Sequence, residues 1–522
     1  MNLSFLFDEL SCSKLYPHSV EVITTIETHI SIIFLTGEFA YKLKKPVDFG
    51  FLDFTDLAER KRFCELEISL NRRTAPDLYL DVCPLYLKND HLQFTPYGEP
   101  VEYVIKMTQF DPNLVLGRYL KDHTLNNSQI KQLTESIANF HLSAESASND
   151  LAFGHPDNVI HPMLDNFPSL LKTFTHPEQQ YRLRQLADWT HFAQKTLFSA
   201  LLERKKQGYI RACHGDMHLD NITLLNEKPT LFDGIEFNEQ FRWIDVMNDL
   251  AFLMIDLENR HQLALKRQLL SYYINLTGDY SGLNLLTFYQ VYRTMVRAKI
   301  TALRYHQLEK NSFEAEHYYA LALTYLKQAE DTAYALPEPK LILMQGVSGS
   351  GKSHYAQQIL QHLDAIIISS DIERKRLFGI SPLERVSKAE KTSLYSPEMN
   401  RQTYRTLLEL AKTTLASGYS VIIDATFLKE DHRRPFQKLA QKQDYDFYVF
   451  AIDHHDHVSI IEDNLAQRIQ TNDSPSDADI SVMQRQLTYY EAPHYAPEQV
   501  LTLKPKEELS NEALKNWLNL PL

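Results

Sequence analysis

The feature that most constrains this chain is a stretch of eight residues, Gly346-Val347-Ser348-Gly349-Ser350-Gly351-Lys352-Ser353, which fits G-x-x-x-x-G-K-[ST]. It lies between the apolar run 341–344 and a helix-like stretch that begins at Lys352. In that setting the glycines let backbone N–H groups wrap phosphate oxygens, the lysine reaches the β/γ oxygens, and the serine hydroxyl joins a Mg2+ shell. The chain holds only 15 glycines in 522 residues, so three within six residues set this segment apart from a Gly-Ser surface loop. Apolar runs at 365–369, 420–423 and 447–452 then alternate with helical stretches near 399–416 and 435–442. That alternation predicts an α/β domain with a parallel sheet over 336–522. Its start is marked by Pro337-Glu338-Pro339, which forbids continuation of the preceding helix.

Two acids extend this reading. The run 420–423 ends at Asp424, where a Mg2+ ligand belongs in such a sheet; the alternative is an aspartate that caps the next turn. Asp371 follows the run 366–370, with Arg374 three residues on. A carboxylate there can take the proton of an acceptor hydroxyl and the arginine can steady a phosphate, although Asp371 could instead be the N-cap of a helix over 373–377. With Arg468 in the expected lid region, this set resembles the P-loop kinases of small molecules and polynucleotides, including the zeta-toxin-like group. The resemblance implies nucleotide contacts from Gly346, Ser348, Gly349, Ser350, Gly351, Lys352, Ser353 and Arg468, and Mg2+ held by Ser353 and Asp424. It also implies Asp371 as the acceptor base and Arg374 as a phosphate or acceptor contact. A second lid arginine, usual in such kinases, is replaced by Asn472.

Upstream of the seam the texture changes once. Residues up to about 110 carry short β-rich runs at 20–26, 31–35, 38–43, 78–86 and 101–107, interrupted by one helical stretch at 57–70. From about 111 to 335 the pattern is mostly helical. Domain 1–335 is therefore expected to be α+β, with a small sheet lobe, a helical lobe and a ligand cleft between them. His214-Gly215-Asp216-Met217-His218-Leu219-Asp220-Asn221 fits H-x-D-x-x-x-x-N, and residues 222–232 read as a hairpin ending at Asp233. The hairpin folds Asp233 back beside Asn221, so one loop offers Asp216 to an acceptor hydroxyl while Asn221 and Asp233 hold Mg2+. A strand lysine held by a helical glutamate completes that chemistry. Lys42 paired with Glu65 is the preferred assignment, with Lys44 on the same strand face and Glu67 on the same helix as alternatives. The segment Thr108-Gln109-Phe110 is placed where a hinge could bond a nucleobase through its backbone.

This assembly resembles the aminoglycoside phosphotransferase family of the protein-kinase-like fold over about residues 20 to 330. The resemblance implies Asp216 as the catalytic aspartate, Asn221 and Asp233 on magnesium, Lys42 on the α/β phosphates, and Asp249 as a buttress of the catalytic loop. His214 is expected to prop that loop. No glycine precedes Gly37, so the glycine-rich flap of protein kinases is absent, which points toward aminoglycoside kinases and away from protein kinases. The order of the two domains resembles bacterial proteins described as bifunctional aminoglycoside phosphotransferase/ATP-binding proteins. The implied cofactors are ATP or GTP with Mg2+, and the implied partner is a small molecule with a hydroxyl acceptor. The alternative is a nucleotide-binding regulator, or a zeta-toxin-like nucleotide-sugar kinase module, with only one active half.

Composition removes other classes. A net charge of −13 argues against a general nucleic-acid coat, and no apolar run approaches the roughly 18 residues of a membrane span. The four cysteines have no metal or disulfide spacing, and with no secretion-like N-terminus the cytoplasm is the expected compartment. The tract Asp453-His454-His455-Asp456-His457 is expected to be a solvated loop, not a metal site. Arg293 and Arg297 share one helix face; ion pairs to local acids are expected there, with a grip on an anionic acceptor as the alternative.

Overall fold

The computed structural model describes residues 2–48, 52–382, 384, 386, 388–455, 457–471 and 480–520. The chain divides into two compact units, one of Met1–Asp256 and Phe288–Glu330, the other of Leu257–Thr287 and Asp331–Leu522.

The first unit opens on strands β1 (Thr24–Glu27), β2 (Ser31–Leu35), β3 (Phe39–Lys44), β4 (Tyr79–Lys88), β5 (His91–Gln93) and β6 (Glu102–Thr108). They form one sheet in the order β1-β2-β3-β6-β4-β5, with β3 antiparallel to both β2 and β6. Alternation along β3 sends Tyr41 and Leu43 into one apolar cluster, while Ala40 faces another on the opposite side. Lys42 and Lys44, in step with Ala40, therefore share that second face. Against it lies the helix Leu57–Asn71, whose buried positions Arg60, Phe63, Cys64, Glu67, Ile68 and Asn71 recur with a helical period. Glu65 falls outside that stripe.

Helices of the first unit include Asn127–Ser143, Pro177–Lys206 and Phe313–Ala333. Short strands β7 (Ile210–Ala212), β8 (Ile222–Leu225), β9 (Lys228–Leu231) and β10 (Trp243–Asp245) bracket the H-x-D motif. β8 and β9 pair as a hairpin from Ile222↔Leu231 to Leu225↔Lys228. Its two-residue turn, Asn226-Glu227, has φ of 49° and 64°, the left-handed pair whose twist matches that of the strands. This short unit lets chemistry-bearing residues at 221 and 233 meet.

The second unit contains β11 (Lys340–Gln345), β12 (Ala365–Ser369), β13 (Ser420–Asp424), β14 (Asp446–Ile452) and β15 (Val500–Leu503), an all-parallel sheet in the order β12-β13-β11-β14-β15. Its inner strands are buried almost end to end, as a sheet covered on both faces requires. The expected sheet is present, and β15 joins it from a segment that the sequence reading left unassigned. The stretch 257–287, expected in the helical lobe, groups with this unit instead. The helix Leu263–Thr277 lies along the edge strand β12, where Ser271 Oγ accepts from Ile367 N (2.9 Å) and Asn275 Nδ2 donates to Ile367 O (2.7 Å). Side chains thereby satisfy backbone groups that an edge strand would otherwise leave open. No helix among the described residues is long and apolar enough to cross a membrane.

Candidate functional site

In the first unit, β3 and the helix Leu57–Asn71 bring Lys42 Nζ to 2.7 Å from Glu67 Oε1, while the same ammonium lies 2.7 Å from Asp233 Oδ1. Lys44 takes the other oxygen of Glu67 and lies 2.6 Å from Glu236 Oε1. Burial pushes the Glu67 carboxyl up, but the two ammonium groups prevail and bring it down to about 2. Burial instead dominates at Glu236, whose carboxyl is raised despite Lys44. The preferred partner, Glu65, is corrected to Glu67: Glu65 points outward, 57% exposed, and faces Lys61 at 3.8 Å. Both strand lysines touch Glu67, but Lys42 is the one that reaches the Asp233 carboxylate.

The catalytic-loop residues converge. Asp249, fully buried, accepts from the backbone N–H of His214 and of Gly215, each at 2.9 Å, and lies 3.2 Å from His141 Nε2. Burial raises its carboxyl, but the hydrogen bond and charge of His141, with His214 and Arg293, hold it below its ordinary value. This geometry fits the buttress role. His214 spans Phe232 O (2.9 Å) and Asp216 N (3.3 Å), and burial lowers its imidazole below the ordinary value although Asp249 and Asp216 oppose it. A neutral ring, donating at one nitrogen and accepting at the other, suits a prop. Asn221 Nδ2 donates to both Asp216 O and Asp216 Oδ2 at 2.9 Å, while Phe232 N donates to Asn221 O at 3.0 Å. The hairpin thus sets Asp233 beside the loop. Asp233 sits at φ 61°, a region aspartate tolerates, with its N–H on Tyr79 Oη and the next amide on Asn71 Oδ1.

Asp216 also faces His218 Nε2 at 3.3 Å. Burial raises the Asp216 carboxyl, yet His218 above all, then His214 and Arg293, hold it well below the usual carboxylate range. His218 moves the other way: burial lowers it, but the Asp216 carboxylate lifts it above its ordinary value. At the hinge, Thr108 N donates to Leu78 O and Gln109 N to Glu38 O, so both amides belong to the sheet ladder.

In the second unit, Gly346, Gly349 and Gly351 all have positive φ. At Gly349 a Cβ would lie 2.6 Å from Leu465, so the loop approaches the helix Val458–Thr471 too closely for a side chain. Ser353 Oγ donates to Asp424 Oδ2 at 2.6 Å, bringing both expected Mg2+ ligands together. Lys352 Nζ donates to Val347 O at 2.9 Å, and Ser348 N donates to Gln486 Oε1 at 2.7 Å. A side-chain oxygen thus sits on a P-loop amide, where a phosphate oxygen would bind. Ser350 Oγ is buried without a hydrogen-bond partner among the described residues. A cavity of about 690 Å3 is lined by the P-loop residues 348–353, Asp371, Arg374, Asn400, Tyr404 and Asp424, among others. Asp371 lies in the first turn of the helix Ser370–Phe378, whose N-cap is Ser369, so the N-cap alternative does not hold. Arg374, buried against Tyr395 and Asn400, leaves Nε without a partner among the described residues.

Oxygen donors of this kind fit Mg2+: Asn221 and Asp233 in one unit, Ser353 and Asp424 in the other. The orphaned Ser350 hydroxyl and the glycine cradle fit a polyphosphate. Arg468 belongs to the helix Val458–Thr471, but its side chain lies outside the described residues, as do Asn472 and Asp456. His454, expected in a solvated loop, is buried beneath Tyr490 at 4.3 Å between ring centres, and the one metal-like cluster among the described residues is elsewhere. Sequence reasoning missed Glu236, Tyr79, Asn71 and the role of His218. For Glu67 a signal existed, because Phe63-Cys64 and Ile68 mark the helix face that it shares.

Residues 341–493 match a family model described as an AAA domain. Over 418 residues the chain is 29% identical to uncharacterized proteins of Mycobacterium tuberculosis and Mycobacterium bovis, covering 79% of this chain and 80% of theirs. Among solved structures it is similar to a choline/ethanolamine kinase family protein from Mesorhizobium loti, with 11% identity over 63% of this chain and 95% of that one and a TM-score of 0.40. It is also similar to a gluconokinase from Sinorhizobium meliloti 1021, with 20% identity over 35% of this chain and 92% of that one and a TM-score of 0.24. The chain thus joins an N-terminal α+β unit to an α/β P-loop unit, and residues 341–493 of the latter match the AAA-domain family model.

Proposed function

We propose that the chain is an ATP-dependent phosphotransferase with two separate Mg2+–nucleotide sites, each passing a γ-phosphoryl group to the hydroxyl of a small molecule. The observation that carries this reading is that one chemical set occurs twice. In the first unit Lys42 meets Asp233, the hairpin ties the residue before Asp233 to Asn221, and Asn221 holds the carboxylate of Asp216; in the second Lys352, Ser353 and Asp424 share a cavity with Asp371. Phosphoryl transfer needs little from a protein beyond positioning and charge.

In the first unit Asp216, held ionised and oriented by Asn221 and His218, takes the proton of the acceptor hydroxyl. The acceptor oxygen then bonds to the γ-phosphorus as its bond to the β-bridging oxygen breaks, and the nucleoside diphosphate leaves. Mg2+, when bound, screens the phosphate charge. Lys42 directs its ammonium toward the phosphates, with Glu67 fixing its position. In the second unit Asp371 has the role of Asp216 and Arg374 contacts the acceptor or the transferred phosphate. ATP is the proposed donor, with GTP as the alternative. Four free cysteines suit a reducing cytoplasm.

Labelled ATP incubated with a metabolite extract tests the reading. Asp216→Asn and Lys352→Ala are each expected to remove a different set of labelled products, and two variants that leave every product intact would sink it. A second reading, in which the P-loop unit binds nucleotide and regulates without chemistry, is favoured by the Gln486 oxygen and by Lys352, which turns back on its own loop. In that case Asp371→Asn changes no product. The zeta-toxin-like variant of the one-active-half reading instead makes the second unit the active one, and then Asp216→Asn is silent.

A further inference from the structure

The helix Leu283–Gln307 places Arg293 and Arg297 one turn apart on the same face, inside the first unit. Ion pairs to local acids were expected there, and they do not form among the described residues. Arg293 is only 4% exposed, and its Nε donates to Asn248 Oδ1 at 2.7 Å. Its Nη2 is buried with no partner among the described residues. Arg297 donates from Nε to Tyr325 Oη at 3.4 Å. A buried guanidinium with neutral partners and an orphaned donor is costly unless something else completes it.

Its position indicates what that is. The Arg293 guanidinium covers the ring of Phe252 at 4.9 Å, and the His218 ring meets the same phenyl ring at 5.4 Å. His218 in turn touches the Asp216 carboxylate at 3.3 Å. Both arginines are also felt at that centre: Arg293 helps to depress Asp216, and Asp216 helps to raise Arg297. Three carboxylates temper the cluster, Asp216 itself, Asp249 and Asp256; Asp249 already accepts His214 N and Gly215 N, and Asp256 Oδ2 accepts Leu219 N at 2.9 Å. Three aromatic faces that could hold an ammonium ion are already occupied. Arg293 covers Phe252 and Tyr292, and Arg297 lies over Tyr325.

Resting on the phosphotransferase reading of this unit, we propose that the Asp216 site takes an acceptor bearing an oxyanion, a phosphate or a carboxylate, which Arg293 and Arg297 grip while its hydroxyl faces Asp216. A cationic alcohol meets two guanidinium groups there and is refused.

The experiment uses the full chain carrying Arg374→Met, which removes the arginine with an orphaned donor at the P-loop cavity, and saturates both triphosphate sites with Mg2+ and the non-hydrolysable analogue AMP-PNP. Equilibrium dialysis then measures binding of inorganic phosphate in one arm, acetate in a second and choline in a third. One anion site per chain is expected, with no choline binding; preference between the first two arms names the oxyanion. Arg297→Met weakens the anion about ten-fold or more, as loss of a charge-assisted contact implies, and Arg297→Lys recovers most of it. Arg297 is half-buried, so a second variant does not depend on its folding: Asp216→Asn removes the adjacent negative charge and tightens the anion several-fold, roughly as expected for like charges in one site. Failure of phosphate and acetate to bind, choline binding in their place, or anion affinity unmoved by Asp216→Asn would overturn the proposal. None of these readings needs turnover, so they are separate from the loss of labelled product that tests the phosphotransferase reading.

Discussion

On the proposed reading, the two sites solve one problem with opposite materials. The P-loop site is built from contiguous chain: seven of its residues fall between Gly346 and Ser353, and one strand end, Asp424, closes the set. The first unit assembles its site from distant pieces, with Lys42 reaching Glu67 across 25 positions and Asp233 across 191. Backbone amides make the first kind of site, and they need no partner to keep their partial charge. Side-chain charges make the second, and each must be neutralised by another while the site is empty. The lysine pair of β3 therefore rests on three carboxylates, Glu67, Glu236 and Asp233. A contiguous site should lose function without losing structure; a dispersed one should lose both.

The largest expected effect tests that contrast directly. Glu67→Gln leaves two buried ammonium groups short of a counter-charge and should cost the first unit about 3 kcal/mol or more. Urea unfolding of the full chain, followed by hydrogen exchange at the amides of β3, measures it. Glu65→Gln, on the exposed face, should stay within about 0.5 kcal/mol. Equal effects from the two would break the comparison. Next in size is Lys352→Ala, which should weaken nucleotide at the second unit about a hundred-fold through loss of the phosphate cation, with urea stability unchanged. Calorimetric titration with Mg2+·AMP-PNP should then count one tight site where the unaltered chain shows two.

A smaller effect separates two histidines of one loop. His218 is lifted above its ordinary 6.5 and His214 is lowered below it. Stability that His218 contributes is therefore complete below its unfolded value and lost as pH rises through its folded value. His214 works in the opposite sense: its contribution is present above the unfolded value and lost as pH falls through the folded one. Histidine resonances followed by NMR should show the two titrating on opposite sides of 6.5, with Asp216→Asn returning His218 downward. A His218 that ignores that substitution would remove the ion pair from the site.

What the sequence revealed divides along the same line. The P-loop, the parallel strands around it and the β8–β9 hairpin are local patterns, and each stands where expected. Glu65 and Glu67 lie on one helix, and only the period of Phe63, Cys64 and Ile68 tells which of them faces the sheet. The grouping of 257–287 with the second unit was out of reach, because Ser271 and Asn275 look like ordinary helix residues until strand β12 is found with its edge open beside them. Gln486 was invisible for the same reason. Nothing near it in sequence marks it as a partner of Ser348, 138 positions away.

Gln486 also gives the smallest and sharpest test of the contrast. If backbone amides form a site that needs no resident counter-charge, the glutamine oxygen on Ser348 N is a weak occupant that nucleotide displaces. Its removal in Gln486→Ala should then tighten Mg2+·AMP-PNP by a few-fold, roughly the worth of one neutral hydrogen bond of about 1 kcal/mol. A phosphate oxygen, being charged, makes the stronger bond to that amide, so displacement is favourable from the start. Weakened binding would mean that Gln486 turns its amide nitrogen onto the phosphates and serves as a ligand. The P-loop site would then depend on a distant side chain much as the first unit's site depends on Glu67, and the contrast between contiguous and dispersed construction would lose its physical basis.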